Sequence, residues 1–114
     1  MEKLSLDEVH VDEPLWLSTE AGWSELHFEV GRPPFGRARG SLMLEELSRY
    51  EALRPQVARR LLSDILTNDQ IRELGENGAL NFFYTSADKE SRFVVCLIQH
   101  QGVEATFHAV PRRS

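Results

Sequence analysis

The sequence predicts an α+β fold, a single domain in which one curved antiparallel sheet carries its helices mainly on one face. Three observations predict it. The elements run helix, two strands, two helices, three strands. Short loops join the last three strands, which makes them antiparallel. A chain of 114 residues has the length for one hydrophobic core. Strands and helices grouped in runs, rather than alternating, mark this class.

Residues 1–13 read as an N-terminal extension ahead of a domain spanning 14–114. Within the extension, Ser5 and Glu8 have the spacing of a capping box, while Leu4, Val9 and Val11 fit a short edge strand. Both readings stay open. Asp12 is the expected N-cap of the first helix, with Pro14 in the first turn, where a missing N–H is harmless. The helix should end near Gly22, which tolerates a positive φ. Trp16 is expected in the core. Trp23, just past the helix end, is expected as a half-exposed indole able to anchor a partner.

Leu26, Phe28 and Val30 alternate with Glu25, His27 and Glu29, the pattern of a half-buried strand. Gly31-Arg32-Pro33-Pro34 breaks it, because adjacent prolines fix φ and remove donors. Residues 35–44 should form a second strand. Gly36, Ala38 and Gly40 give it a face of small side chains, suited to a closely packed helix, and Leu42–Leu44 should lead into the core. Residues 45–54 read as a helical turn or a loop.

From Pro55, Val57, Ala58, Leu61, Leu62 and Ile65 form a helical stripe, with Arg59, Arg60 and Asp64 toward water. Thr67 and Gln70 form a capping box for another short helix, stopped by Asn77-Gly78. Strands follow at 79–85, 91–99 and 103–110. The run Phe93-Val-Val-Cys-Leu-Ile is apolar at every position and predicts a central strand covered on both faces, with Cys96 buried.

Composition excludes several classes. The chain is 41% hydrophobic and 27% charged, ordinary for a globular protein. A formal net charge of −5 disfavours binding to a nucleic-acid backbone, which rests on Lys/Arg contacts to phosphate. One cysteine permits neither an internal disulfide nor a multi-cysteine zinc site. No apolar stretch reaches the ~18 residues of a membrane span. The acidic N-terminus lacks a signal core, so a cytoplasmic location is expected.

Several pieces in order carry a resemblance. Trp23-Ser24-Glu25-Leu26-His27-Phe28 is followed by Gly31-Arg32-Pro33-Pro34 and Gly36-Arg37-Ala38-Arg39-Gly40. After the two helices come Asn81-Phe82-Phe83-Tyr84, then Arg92-Phe93-Val94-Val95-Cys96. Gln99-His100-Gln101-Gly102 and Phe107-His108-Ala109-Val110-Pro111 close the series. Over roughly residues 14–111 this resembles the N-terminal PAS-like (profilin-like) domain of PilT-type twitching-motility and type II secretion motor ATPases. The ATPase core itself has no counterpart. Such an engine needs a Gly-rich phosphate loop ending in Gly-Lys-Ser/Thr, and the chain contains no Gly-Lys dipeptide.

The departures from that family matter too. The resemblance implies arginines on the last two strands that reach a nucleotide at a domain or subunit boundary, where a planar guanidinium grips phosphate. Those positions hold Val94, Gln101 and His108 here, and Arg92 alone remains. Arg39 stands where the family has an aspartate before glycine. The pattern implies a domain that kept its core and lost its nucleotide contacts, so no cofactor is expected.

The residues also permit sharper chemistry. Glu25 and His27 share a strand face and have the makings of an acid/base pair, although the corresponding strand in the family is structural or interfacial. His27, His100 and His108 would have to share a face to form a metal site. Ser24 or Cys96 as a nucleophile would need an adjacent base. Isolated strand histidines are more often solvated, and neither nucleophile has that context, so no catalytic or metal residue is assigned. The expected site is a partner-binding surface made of Trp23, Arg32, Arg37, Arg39 and Arg92. The arginines read either as a docking patch or as a solvated strand edge that resists aggregation; the charge inversion at Arg39 favours docking.

The expected function is a non-enzymatic interaction or regulatory module that docks on a pilus or secretion motor ATPase or a polar adaptor. Homo-oligomerisation is left open; neither nucleic acid nor membrane insertion is expected. A PAS-like small-molecule or nucleotide sensor is the alternative. A type III secretion chaperone ranks last, because such proteins are built around a long C-terminal helix.

Overall fold

Six strands form one antiparallel sheet in the computed structural model, which describes residues 3–99 and 102–111. The strands are β1 (Trp23–Phe28), β2 (Phe35–Ala38), β3 (Glu45–Glu46), β4 (Ala79–Thr85), β5 (Arg92–Gln99) and β6 (Val103–Ala109). Their spatial order is β3-β2-β1-β6-β5-β4. The first three strands and the last three are each an antiparallel meander. Pairing of β1 with β6, Leu26 opposite Phe107, joins the two halves. Three helices, α1 (Asp12–Glu20), α2 (Pro55–Ser63) and α3 (Asn68–Asn77), pack on one side. The α+β class and the one-sided helical layer agree with the sequence.

The core lies between that layer and the sheet. Phe107 is fully buried and takes edge-to-face contacts from Phe28, Phe93 and Tyr84, with ring centroids at 5.5, 6.0 and 6.3 Å. Such pairs add to the burial of the rings themselves. From α2, Val57, Ala58, Leu61 and Leu62 are buried, as their spacing predicts. The capping box at α3 is present, with Thr67 and Gln70 bonded reciprocally and Gly78 left-handed at the C-cap.

Several expectations change. The segment before α1 is part of the core: Leu6 and Val11 are buried, and Arg60 donates to the carbonyls of Leu6 and Val9. Both readings of its local structure hold in part. Ser5 caps a 3-10 turn at Leu6–Glu8, and Leu4 makes one parallel bridge to Tyr50. Val11 occupies the N-cap position of α1 without a side-chain bond. Asp12 lies inside the helix and accepts from the Tyr84 hydroxyl (2.5 Å) and the Ala87 N–H (2.9 Å).

β2 stops at Ala38, and Gly40 turns the chain with φ 80°. Leu42, Met43 and Leu44 therefore lie exposed along the sheet edge, not in the core. β5 is covered on one face only. Phe93, Val95 and Leu97 are buried, Val94 and Cys96 half-buried, and Ile98 exposed. The apolar run misleads because its outward residues belong to a face that no helix covers.

Candidate functional site

A β-bulge decides which side chains reach the open face of the sheet. Trp23 pairs with Ala38 and Glu25 with Arg37, so β1 carries one extra residue against β2. An extra residue reverses the side-chain alternation. Trp23 is thereby turned to the same side as Leu26 and is buried, its indole N–H donating to Glu45 Oε2 at 3.0 Å. The expected anchor is thus a core residue. Trp16 on α1 is the exposed indole, at 57%. Gly36 makes the bulge possible. A β-carbon there would stand 2.8 Å from Trp23 Cε3 and would also collide with the Glu25 carbonyl. The small residue accommodates an indole and a backbone, not a helix.

Outward from β1 point Glu25 and His27, flanked by Phe35 and Arg37 on β2 and by Thr106 and His108 on β6. They form one connected group. The Arg37 Nε–H donates to Glu25 Oε1, and His27 Nε2 lies 2.7 Å from Glu25 Oε2. His27 Nδ1 meets the Thr106 hydroxyl at 3.1 Å. The imidazole stacks on Phe35 at 4.9 Å between centroids, and the Arg32 guanidinium sits 3.6 Å over that ring. Arg32 also donates to Glu46 at 3.3 Å. The hydrogen bond from Arg37 holds the Glu25 carboxyl below its ordinary value. Burial opposes that effect and His27 adds to it.

The network ties β1 to β2 and β6 through side chains as well as backbone. Glu25 is kept ionised, and His27 has both ring nitrogens engaged. Ser24 sits in the bulge with its hydroxyl 3.4 Å from the Arg37 carbonyl. Cys96 faces Asn81 and Thr106 across the neighbouring strands, with no base at its register positions. His100 lies outside the described residues, so the three-histidine arrangement does too. Among the described residues no cluster of His, Cys, Asp and Glu is placed to hold a metal.

The same face continues across β5 and β4, where apolar groups stand among Asn81, Thr85 and Glu104. Phe83 is 67% exposed beside half-buried Val94, with Arg92 5.6 Å from its ring, and Ile98, four residues further along β5, is 53% exposed. Register places Phe83 beside Val94, and Val94 beside His108. Of the predicted surface residues, the structure brings Arg32, Arg37 and Arg92 onto this face. Arg39 is exposed in the turn after β2, and Trp23 is withdrawn inside. Arg32 and Arg37 have carboxylate partners already, so the β1–β2 half is close to neutral. Phe83 and Ile98 escaped the sequence reading. Their signal was the period-2 phase, which sets Phe83 opposite to buried Leu80 and half-buried Phe82 and Tyr84.

No protein-family model matches the chain, and no curated protein does either. Solved structures do match. The pilus retraction motor PilT, solved with bound ADP, superposes with a TM-score of 0.81 at 24% identity, over 93% of this chain and 30% of that one. The Legionella pneumophila ATPase DotB gives 0.73 at 14% identity, over 97% and 33%. The Yersinia pseudotuberculosis ATPase DotB gives 0.64 at 16%, over 96% and 32%. The fold is one that these motor ATPases contain. The chain spans about a third of their length, and the resemblance read from the sequence holds at the level of fold. Of the positions where that resemblance implies lost arginines, Val94 and His108 pair with each other on the open face beside Arg92, and Gln101 lies outside the described residues.

Proposed function

We propose that the chain is a non-catalytic docking module for a pilus or secretion motor ATPase, or for an adaptor of one, and that the open sheet face is its contact surface. The observation that carries this reading is the uncovered face itself. A fold shared with motor ATPases leaves one side of its sheet without helices, and that side bears Phe83 and Val94 beside Arg92, with Ile98 further along β5. Exposed aromatic and aliphatic groups next to an arginine have the composition of an interface core and its rim. The β1–β2 network contributes rigidity, so little ordering entropy opposes association.

Binding to a full-length, hexameric PilT-type ATPase tests the reading. Capture at micromolar concentration is expected, and Phe83→Ser or Arg92→Glu should each weaken it about tenfold or more. No capture with the hexamer intact, or capture indifferent to both substitutions, would count against it.

One feature supports the sensing alternative. A cavity of about 220 Å³ between α2, α3 and the end of β5 is lined by Leu62, Leu66, Ile71, Leu74 and Val103. A nucleotide or cyclic dinucleotide that binds the folded form there would raise the melting temperature by several degrees.

A further inference from the structure

The two edges of the sheet are unlike. β3 closes one side with two residues, Glu45 and Glu46, both exposed. A short, charged strand is a poor template for another chain. β4 closes the other side with seven residues, Ala-Leu-Asn-Phe-Phe-Tyr-Thr. It has no charge, proline or glycine, and its register against β5 runs without a bulge from Ala79–Ile98 to Thr85–Arg92. The usual guards against edge-to-edge pairing are missing along it.

Two hydrogen bonds fix the phase of the β4 backbone. The Ser86 N–H donates to the Ser91 carbonyl and the Gln99 N–H to the Gly78 carbonyl, both at 2.9 Å. Bonded and non-bonded pairs alternate along an antiparallel ladder, so Leu80, Phe82 and Tyr84 bond inward to β5. Ala79, Asn81, Phe83 and Thr85 therefore turn their N–H and C=O groups outward. These four residues are all exposed. Among the described residues, no backbone group from outside the sheet bonds to them.

We propose that the β4 edge pairs with the β4 edge of a second copy of this chain, antiparallel about a twofold axis at Phe82. Length and phase select that register. Outward-turned residues stand at both ends of the strand, so full overlap sets Ala79 opposite Thr85 of the copy and Asn81 opposite its Phe83. Every outward backbone group then gains a partner. On the helix side, Leu80 falls opposite Tyr84 of the copy, and half-buried Phe82 opposite its own counterpart, an aromatic cross-strand pair. An uncharged strand gives a charged foreign segment nothing to select, whereas its own copy matches it in length, phase and pattern. The assembly stops at two copies, because the contact is isologous and the edges left over are both β3. The pairing uses backbone at the sheet edge and leaves the open face free, so it does not depend on docking there.

Sedimentation equilibrium of the whole chain from roughly 10 μM to 1 mM tests it. A monomer–dimer equilibrium is expected, with a dissociation constant on the order of 100 μM and no larger species. Amide hydrogen exchange locates the contact. Between roughly 50 μM and 1 mM, exchange at Asn81, Phe83 and Thr85 should slow about threefold, as the monomer fraction falls. Leu80, Phe82 and Tyr84 should be protected at both concentrations, since their N–H groups face β5. Asn81→Pro removes an outward donor and spares the inward ladder. Asn81→Lys, at the same exposed position, puts a charge on the edge and serves if the proline variant does not fold. Each folded variant should weaken dimerisation about tenfold or more. A chain that stays monomeric at about 1 mM, a dimer whose outward amides do not slow, a dimer that Asn81→Lys leaves unchanged, or growth beyond two copies overturns the proposal.

Discussion

The ring of Trp23 lies against the α-carbon of Gly36, leaving no room for a β-carbon, which would stand 2.8 Å from Cε3. This contact locks the bulge in β1 and so the orientation of Glu25 and His27 on the open face. Gly36→Ala must displace the indole or the Glu25 backbone. A loss of about 3 kcal/mol or more is expected, at the upper end of overpacking effects, measured by urea unfolding. A variant as stable as the parent would mean that the bulge is not held this way.

Gly75 gives the opposite sign. It sits inside α3, where an added β-carbon would meet nothing within 4 Å. Gly75→Ala should stabilise the chain by about 0.5–1 kcal/mol, because alanine loses less backbone freedom in a helix. The same urea experiment reads it.

The two tyrosines of the chain, Tyr50 and Tyr84, both have phenol pKa values pushed well above normal. Burial is the main cause, and hydrogen bonds to Glu13 and Asp12 add to it. Each phenol remains protonated in the folded chain at a pH where it would ionise in the unfolded one. That contribution to stability is complete below the unfolded value of about 10 and declines as pH rises beyond it toward the folded value. Phenolate absorbance should therefore appear together with unfolding, in one cooperative step. Gradual ionisation of a folded chain near the ordinary value of about pH 10 would contradict the desolvation and carboxylate hydrogen bonds of the two phenols.

Glu25 acts at the acid end. Its folded pKa lies below the model-compound value of 4.5, so its stabilisation is present above that value. It is lost as pH falls from there through the lower folded value. Glu25→Gln should lower stability near neutrality, where the carboxylate partner of Arg37 is gone, and should make the acid dependence shallower. Melting temperatures taken from about pH 6 down to pH 3 would show both effects.

Leu42 and Phe83 are large, apolar and exposed. Leu42→Ser and Phe83→Ser should each change stability by no more than about 0.5 kcal/mol, as read by urea midpoints. A larger loss at Phe83 would mean that the face is covered in the isolated chain.

Much of the architecture was legible in the residues. The α2 stripe, the Thr67–Gln70 cap, the Asn77-Gly78 stop and the last three strands obey local rules of period and turn chemistry, which act over a few residues. Arg32, Arg37 and Arg92 were legible as surface groups for the same reason. Phe83 was legible in phase but was overlooked beside its aromatic neighbours.

Tertiary structure alone decided the rest. Periodicity reports which side chains share a face, but it does not report what lies over that face. Hence β5 read as covered on both sides, whereas Val94 and Ile98 look outward. A bulge inserts a single residue and leaves the composition untouched, so the exchange of roles between Trp16 and Trp23 was invisible until β1 was aligned against β2. Likewise Arg37 and Glu25 stand 12 residues apart in the chain and Tyr84 and Asp12 stand 72 apart. Such pairs form because the sheet brings their strands together, and that closure belongs to the chain as a whole.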